Sequence, residues 1–328
     1  MAPEVAFLVG APRSGTTWLQ QMLGAHPAVA TTQETDLFDR YLAPWYETWR
    51  AQLPETEDEW RANRFKGLPA VLDEGGLDEL ARSVIRQVHE AMLALKPGST
   101  VVLEKVPGYA LHAELLSRIV PGAAFIHLVR DGRDAASSMQ RAAGGWGRRS
   151  WRTSSIAVSA ATWRNHVAGA RRFDAPGNRF AELRFEDLRS DRGPALLAGL
   201  FELLGLGGGE PLAAEIVDRF AIEGARDPRT APSSFVWGGE VSRRVEGTPM
   251  EPEGFVGEGS SGGWRERLST YEQIVFDRTA GELLRELGYA EPHWVGGSSF
   301  RRGAAVTTLW ARRRLEPLEY RLRRRRHA

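Results

Sequence analysis

Apolar residues in this chain alternate between short unbroken runs and longer stretches where they recur every three or four positions. Val5 to Val9 is a run of strand length, followed by Gly, Pro and small polar residues. Trp18, Leu19, Met22 and Leu23 then repeat at helical spacing. This first helix should stop at His26-Pro27, because the residue before proline is pushed out of the α region. Ala28 to Thr32 reads as a second strand and Thr100 to Leu103 as a third. Between them, Asp36 to about Lys96 carries helical spacing around Leu80, Val84, Ile85 and Val88, with Trp45, Trp49 and Trp60. Those tryptophans read as packing rather than as a sugar-binding platform. A helix through Leu115, Leu116 and Ile119 follows the third strand, with His112 on it as a surface or packing residue.

Ala123 to Val129 is nearly continuous in apolar residues, the pattern of a central parallel strand covered on both faces. His127 inside it reads as a satisfied core residue. A helix starts at Asp131 or Gly132, and the Gly- and Arg-rich stretch Arg141 to Arg152 reads as a mobile loop. Ile156 to Phe173 is helical, Arg179 to Arg184 is a fifth strand, and Leu196 to Leu206 is a helix ended by glycines from Gly207. Arg226 to Gly263 is rich in Gly, Pro and Ser with little periodicity, as lid-like loops are, before a last helix from Tyr271 to Leu287. The expected fold is α/β and three-layered: a central parallel sheet of about five strands with helices on both faces. We expect one domain over 1–290, with 36–98 as a helical insertion above an acceptor pocket, 226–263 as a lid and 291–328 as an extension.

Charge changes this picture only at the C-terminus. Arg312 to Ala328 holds eight Arg and two Glu, a local +6 in a chain of net +1, which leaves the rest at −5. Such a run reads as a solvated end, with contact to an anionic membrane as the alternative. No nucleic-acid partner is expected. The chain has no cysteine, which removes disulfides and thiolate metal sites and fits a reducing, cytoplasmic setting. The N-terminus goes directly into the first strand and does not read as a signal peptide.

The chemistry concentrates where the first strand meets the first helix. Gly10-Ala11-Pro12-Arg13-Ser14-Gly15-Thr16-Thr17 has phosphate-loop spacing. Loop amides and the unpaired donors of a helix N-terminus together make an anion site. A nucleotide-hydrolysing loop needs Lys after the second Gly and a metal-bound Ser/Thr. Here Thr16 takes that place and the cation is Arg13, inside the loop, which points to a less charged anion and no obligatory metal. A turn that merely caps a helix is the plain alternative. Glu34 follows the second strand at its carboxyl end, where ligand sites of open α/β sheets gather, and so faces the rim shared with Arg13. Glu104-Lys105, at the end of the third strand, could be a solvated exit.

Pro12-Arg13-Ser14-Gly15-Thr16-Thr17-Trp18-Leu19 after a strand resembles the phosphosulfate loop of sulfotransferases that use 3′-phosphoadenosine 5′-phosphosulfate (PAPS) and release PAP. Further segments resemble that family in order. His26-Pro27 followed by Glu34-Thr35 is similar to tyrosylprotein-type and bacterial members, where this Glu is the catalytic base. Lys105 matches the family Lys that contacts the transferred group and the leaving phosphate. Cytosolic phenol and steroid sulfotransferases carry a His base two residues beyond it, where this chain has Pro107. Arg130 and Ser138, within Phe125-Ile126-His127-Leu128-Val129-Arg130-Asp131-Gly132-Arg133-Asp134 and the helix after it, match the 3′-phosphate pair. Phe185-Glu186-Asp187-Leu188 resembles a motif with Tyr in place of Phe185, and Trp264-Arg265 with Leu268-Ser269 resembles the late element that folds over the nucleotide. The Arg-Lys-Gly that precedes that Trp in cytosolic members is absent, with Gly257-Glu258-Gly259 in its place.

The resemblance implies in-line sulfuryl transfer from PAPS to an acceptor hydroxyl or amine, with no metal. Glu34, Lys105 and Arg13 would be catalytic. Arg13, Ser14, Gly15, Thr16, Thr17, Trp18, Arg130, Ser138, Phe185, Trp264 and Arg265 would bind the nucleotide. Small-molecule, carbohydrate, lipid and protein-tyrosine acceptors all stay open. The competing readings are a metal-dependent P-loop phosphotransferase and a non-catalytic, membrane-associated PAP/PAPS-binding module.

Overall fold

The computed structural model describes residues 4–53, 59, 67–144, 155–220, 259 and 261–289. The expected lid (226–263) falls almost wholly outside these residues, and the C-terminal extension (291–328) entirely. The described chain falls into two compact units. The first comprises Met1–Arg130 and Asn165–Gly259, and the second Asp131–Arg164 and Ser260–Ala328.

The first unit holds a five-stranded, all-parallel sheet in the order β2-β3-β1-β4-β5. Its strands are β1 (Glu4–Val9), β2 (Val29–Thr31), β3 (Val101–Lys105), β4 (Ala124–Val129) and β5 (Arg179–Arg184). The helices are α1 (Thr16–Ala25), α2 (Ala43–Ala51), α3 (Glu74–Ala94), α4 (Ala113–Ile119), the end of α6 (Ile156–Arg171), α7 (Phe185–Leu188), α8 (Gly193–Leu203) and α9 (Gly209–Arg219). β1, β3 and β4 are buried on both faces, so each carries a short apolar run: Val5 to Val9, Val101 to Leu103 and Ala124 to Ile126. One face packs Leu8 and Ile126 against Leu19, Leu23, Leu200 and Phe201. The other packs Phe7 and Phe125 against Phe38, Tyr46, Ile85, Tyr109 and Phe173. The three-layer α/β expectation therefore holds.

Several local expectations change. β3 runs on through Lys105, so Glu104 is no solvated exit: it is 2% exposed. The buried face of α3 is Leu77, Ala81, Ile85, His89 and Met92, while Leu80 is exposed, a shift of phase from the apolar count. His112 caps a 3₁₀ turn over Pro107–His112 and starts α4 rather than lying within it. Trp49 is buried and donates to the Leu72 carbonyl at 2.9 Å, whereas Trp45 is 40% exposed. α9 had no counterpart in the sequence reading, because its start is hidden among glycines with Pro211 in the first turn.

α1 ends on Lys96. Its ammonium donates to the carbonyls of Gly24, His26 and Val29 at 2.9, 2.8 and 2.9 Å, supplying the C-terminal cap that α1's own last turn lacks. Lys96→Ala should cost about 1–3 kcal/mol, the scale of a charge-assisted hydrogen bond left unmade. Thermal melting of the two proteins checks this, and equal melting temperatures would rule out the capping role.

His127 and Glu182 sit opposite each other in the β4–β5 register. His127 Nδ1–H donates to Glu182 at 3.1 Å, and the Arg171 guanidinium adds two bonds at 2.8 and 2.9 Å. His127 is thus satisfied at one nitrogen only, since Nε2 is buried without a partner. Burial pushes the His127 imidazole down from its ordinary 6.5. For Glu182, burial would raise the carboxyl, but the bonds from His127 and Arg171 outweigh it and bring it down to about 2. A group held below its unfolded pKa contributes stability above that pKa and loses it as pH falls. The stability difference between wild type and Glu182→Gln should therefore be largest above about pH 5 and shrink through about pH 2. Urea midpoints across that range test it, and a difference that does not vary with pH would contradict the linkage.

The second unit contains α5 (Gly132–Gly144), the start of α6, α10 (Trp264–Arg267) and α11 (Thr270–Glu286). α5 continues through Gly144, so the first residues of the loop expected over Arg141 to Arg152 are helical, and the rest lie outside the described residues. Gly132 has no room for a side chain, because a Cβ there would lie 2.6 Å from the Phe276 ring. α11 is closed by a capping box, Ser269 with Glu272.

Candidate functional site

β1 ends in the glycine-rich turn because two positions there exclude a Cβ. At Gly15 the backbone is left-handed, φ 95° and ψ 13°, and a Cβ would lie 2.6 Å from the Phe185 ring. At Gly10 it would lie 2.6 Å from the Leu128 carbonyl oxygen. Arg13, with φ 69°, adopts the same sparsely populated region without glycine's freedom. Strain of this kind is kept where surrounding structure over-determines the backbone, and it clusters at ligand clamps. The Ser14 amide donates to the Ala11 carbonyl at 3.1 Å, while Ser14 Oγ is buried with no hydrogen-bond partner.

Helix α1 opens directly from this turn. Its N-terminal residue Gly15 offers no side-chain cap, and no acidic residue occupies the first turn. Its first amides and positive dipole end are therefore left for an anion. Thr16 is buried and Thr17 half-buried. An orphaned buried hydroxyl, uncapped amides and a nearby guanidinium fit the donor demand of a phosphosulfate.

Arg130, at the end of β4, lies 4.6 Å over the Phe185 ring and donates to the Arg13 carbonyl at 3.1 Å. It is 8% exposed. Phe185 also packs edge-on against Trp18, 5.5 Å between centroids, and Trp18 Nε1–H donates to the Phe220 carbonyl at 2.8 Å. Arg189, which the sequence reading passed over, lies 5.8 Å from the same Phe185 ring. The aromatic replacing the family's Tyr thus acts as a plate under two guanidinium groups and against Gly15.

The carboxyl ends of β2 and β3 bring in the second cluster. Glu34 and Lys105 form an ion pair, with the Lys105 side chain 3% exposed and that of Glu34 40% exposed. The segment carrying Glu34 is tied to α1: Gln20 donates to Thr31 Oγ1 at 2.7 Å and to the Thr32 carbonyl at 2.8 Å. Beneath it, Glu104 accepts from His89 Nε2–H at 2.6 Å, Thr35 Oγ1–H at 2.5 Å and the Tyr109 hydroxyl at 3.1 Å. Burial and the Glu104 carboxylate push the Tyr109 hydroxyl well above its ordinary pKa, so it stays a neutral donor. His89, Glu104 and Thr35 were not singled out from the sequence. His89 could have been: it stands four residues after Ile85, on the apolar stripe of α3.

In the second unit, Asp131, Arg133 and Asp134 are 6%, 1% and 1% exposed. Arg133 is held by Asp131 at 2.9 and 2.7 Å and lies 3.9 Å over the Trp264 ring. Asp134 accepts the amides of Gly262 and Trp264 at 2.7 and 2.8 Å. The charged motif after β4 thereby fixes the Gly-Gly-Trp turn. Trp264 is fully buried with Nε1 unpartnered, and Arg265 lies 4.5 Å from its ring. Ser138 is buried on α5.

The chain matches the sequence model of the "Sulfotransferase family" over residues 4–207, well over half its length. It is 33% identical over 138 residues to "Protein-tyrosine sulfotransferase 1" of Danio rerio, covering 40% of this chain and 34% of that protein. It is 31% identical over 135 residues to the Homo sapiens protein of the same name, covering 40% and 33%. The chain thus spans about a third of the length of the curated relatives it matches. Among solved structures it resembles the sulfotransferase domain of the Synechococcus PCC 7002 olefin synthase, with a TM-score of 0.53 at 17% identity, covering 89% of this chain and 97% of that one. A mouse sulfotransferase complexed with PAP gives a TM-score of 0.51 at 14% identity, covering 86% and 88%. At these identities the two structures speak for a shared fold alone. With its family model matched from β1 past α8, this chain belongs to the sulfotransferase family.

Proposed function

We propose that this protein transfers a sulfuryl group from PAPS to an acceptor hydroxyl or amine, without a metal. The observation that carries this reading is the Glu34–Lys105 ion pair at the strand rim that also bears the phosphate loop. PAPS supplies an activated sulfuryl group on a phosphate leaving group. The loop amides, Arg13, Thr16 and Thr17 hold that end and offset the charge that develops on the leaving oxygen. Lys105 adds a preorganised positive charge, and its burial strengthens it. Glu34 takes the proton of the attacking acceptor, for which its exposed carboxylate is accessible. Arg130, 4.6 Å over the Phe185 ring, holds the 3′-phosphate with its planar fork.

Similarity to proteins named protein-tyrosine sulfotransferases puts a tyrosine hydroxyl first among the acceptors to try. The test is ³⁵S transfer from labelled PAPS to tyrosine peptides, phenols, carbohydrates and lipids in the presence of a metal chelator. Transfer to at least one class is expected. ATP turnover that requires Mg²⁺, with no ³⁵S transfer, would favour the phosphotransferase reading instead.

A further inference from the structure

Glu104 is a carboxylate placed where an apolar residue would serve the core better. It enters the sheet face lined by Phe7, Phe38 and Tyr109, and burying an ionised group is costly unless every oxygen is paired. Here both oxygens are paired, one with His89 and the other with Thr35 and Tyr109. The positions of these partners in the chain give the arrangement its meaning. Glu104 immediately precedes Lys105, and Thr35 immediately follows Glu34. Successive strand side chains point to opposite faces, so Glu104 faces the core and Lys105 the other side. The single bond from Thr35 Oγ1 to Glu104 therefore joins the backbone next to one ion-pair member to the backbone next to the other.

The same hydroxyl does a second job. Thr35 Oγ1 accepts the Leu37 amide at 3.3 Å, and the Tyr109 oxygen accepts that of Phe38 at 3.3 Å. Both amides belong to the first turn of the π-helical segment Leu37–Leu42, which follows the left-handed residue Asp36. Gln20 fixes the other end of the segment at Thr31 and Thr32. Between these anchors lie only Gln33 and Glu34, and the Glu34 carboxylate is held by Lys105.

We propose that Glu104, clamped by His89, Thr35 and Tyr109, is a positioning residue that sets the Glu34 carboxylate against the Lys105 ammonium. Its consequence for turnover rests on the functional reading above, while its geometric content does not.

The test uses the full chain and two substitutions of Thr35. Thr35→Val keeps the shape and removes the hydroxyl; Thr35→Ser keeps the hydroxyl. A carbodiimide couples contacting carboxylates and amines with no spacer, so the Glu34–Lys105 isopeptide, quantified by mass spectrometry, reports the pair directly. Thr35→Val should lower its yield about 2- to 10-fold, the population change expected from one lost hydrogen bond. Thr35→Ser should stay within about twofold of wild type, and PAP affinity by calorimetry should be unchanged in both. Where ³⁵S transfer is observed, kcat of Thr35→Val should fall about 10- to 100-fold with KM for PAPS unchanged. Wild-type crosslinking in Thr35→Val overturns the proposal. So does an equal loss of crosslink, PAP binding and near-ultraviolet dichroism in both variants, which marks a structural role only. If wild type transfers no sulfuryl group, the functional reading fails and the crosslinking alone decides the inference.

Discussion

Glu34→Gln is expected to lower kcat by about 10²–10⁴, the usual contribution of a positioned general base, while PAP affinity stays nearly constant. The substitution keeps the shape of the side chain and a hydrogen-bond acceptor for Lys105, and it removes basicity. The carboxylate is the exposed member of its ion pair and the ammonium the buried one, so under the proposed function Glu34 is the member an acceptor would reach. The other candidate base is the His112 imidazole. His112 lies 3.3 Å from Asp39 at the end of the 3₁₀ turn. His112→Ala should therefore leave kcat close to wild type. The decisive comparison is single-turnover transfer from labelled PAPS by both variants. Full activity in Glu34→Gln with loss in His112→Ala would move the base to His112.

Under the proposed function, the ion pair also bears on the order in which donor and acceptor would bind. Lys105 is almost fully buried, so losing its partner would leave an uncompensated charge out of water, at a large cost. An anion arriving at the phosphate loop offers the ammonium a second partner. Under the proposed function, the same event would loosen its hold on Glu34, and donor binding would precede release of that carboxylate to the acceptor.

Much of this was legible in the sequence, and the physical reasons differ from part to part. The strands were readable because parallel strands buried on both faces carry apolar runs, as Val5 to Val9, Val101 to Leu103 and Ala124 to Ile126 show. The loop was readable because Gly15 stands where backbone sign and the closeness of Phe185 forbid a Cβ. Glu104 was not readable. Its partners His89, Thr35 and Tyr109 lie 15, 69 and 5 residues away, and only the tertiary fold makes them neighbours. Without them a Glu before a Lys at a strand end looks solvated. The same limit applies to Asp131, Arg133 and Asp134: the charges suggest a surface, and only the Trp264 turn shows why they are buried. Local pattern fixes where a strand or a glycine turn lies; paired buried charge depends on partners that local pattern does not contain.

Arg130→Ala should weaken PAP binding about 10- to 150-fold, because charge-assisted hydrogen bonds contribute roughly 1.5–3 kcal/mol each. Two features make this residue more than a surface cation. It is nearly buried, so its charge is poorly screened, and its guanidinium lies 4.6 Å over the Phe185 ring, so less rotamer freedom remains to be lost on binding. Its bond to the Arg13 carbonyl ties it to the loop, so part of the loss could be indirect, through a loosened phosphate loop. A second nucleotide separates the two causes. 5′-AMP lacks the 3′-phosphate but keeps the 5′-phosphate that the loop would hold, so a direct role predicts an AMP affinity nearly unchanged by Arg130→Ala. Calorimetry with both ligands on both proteins reads the difference. Equal losses for PAP and AMP would mean that Arg130 supports the loop and that the 3′-phosphate is held elsewhere.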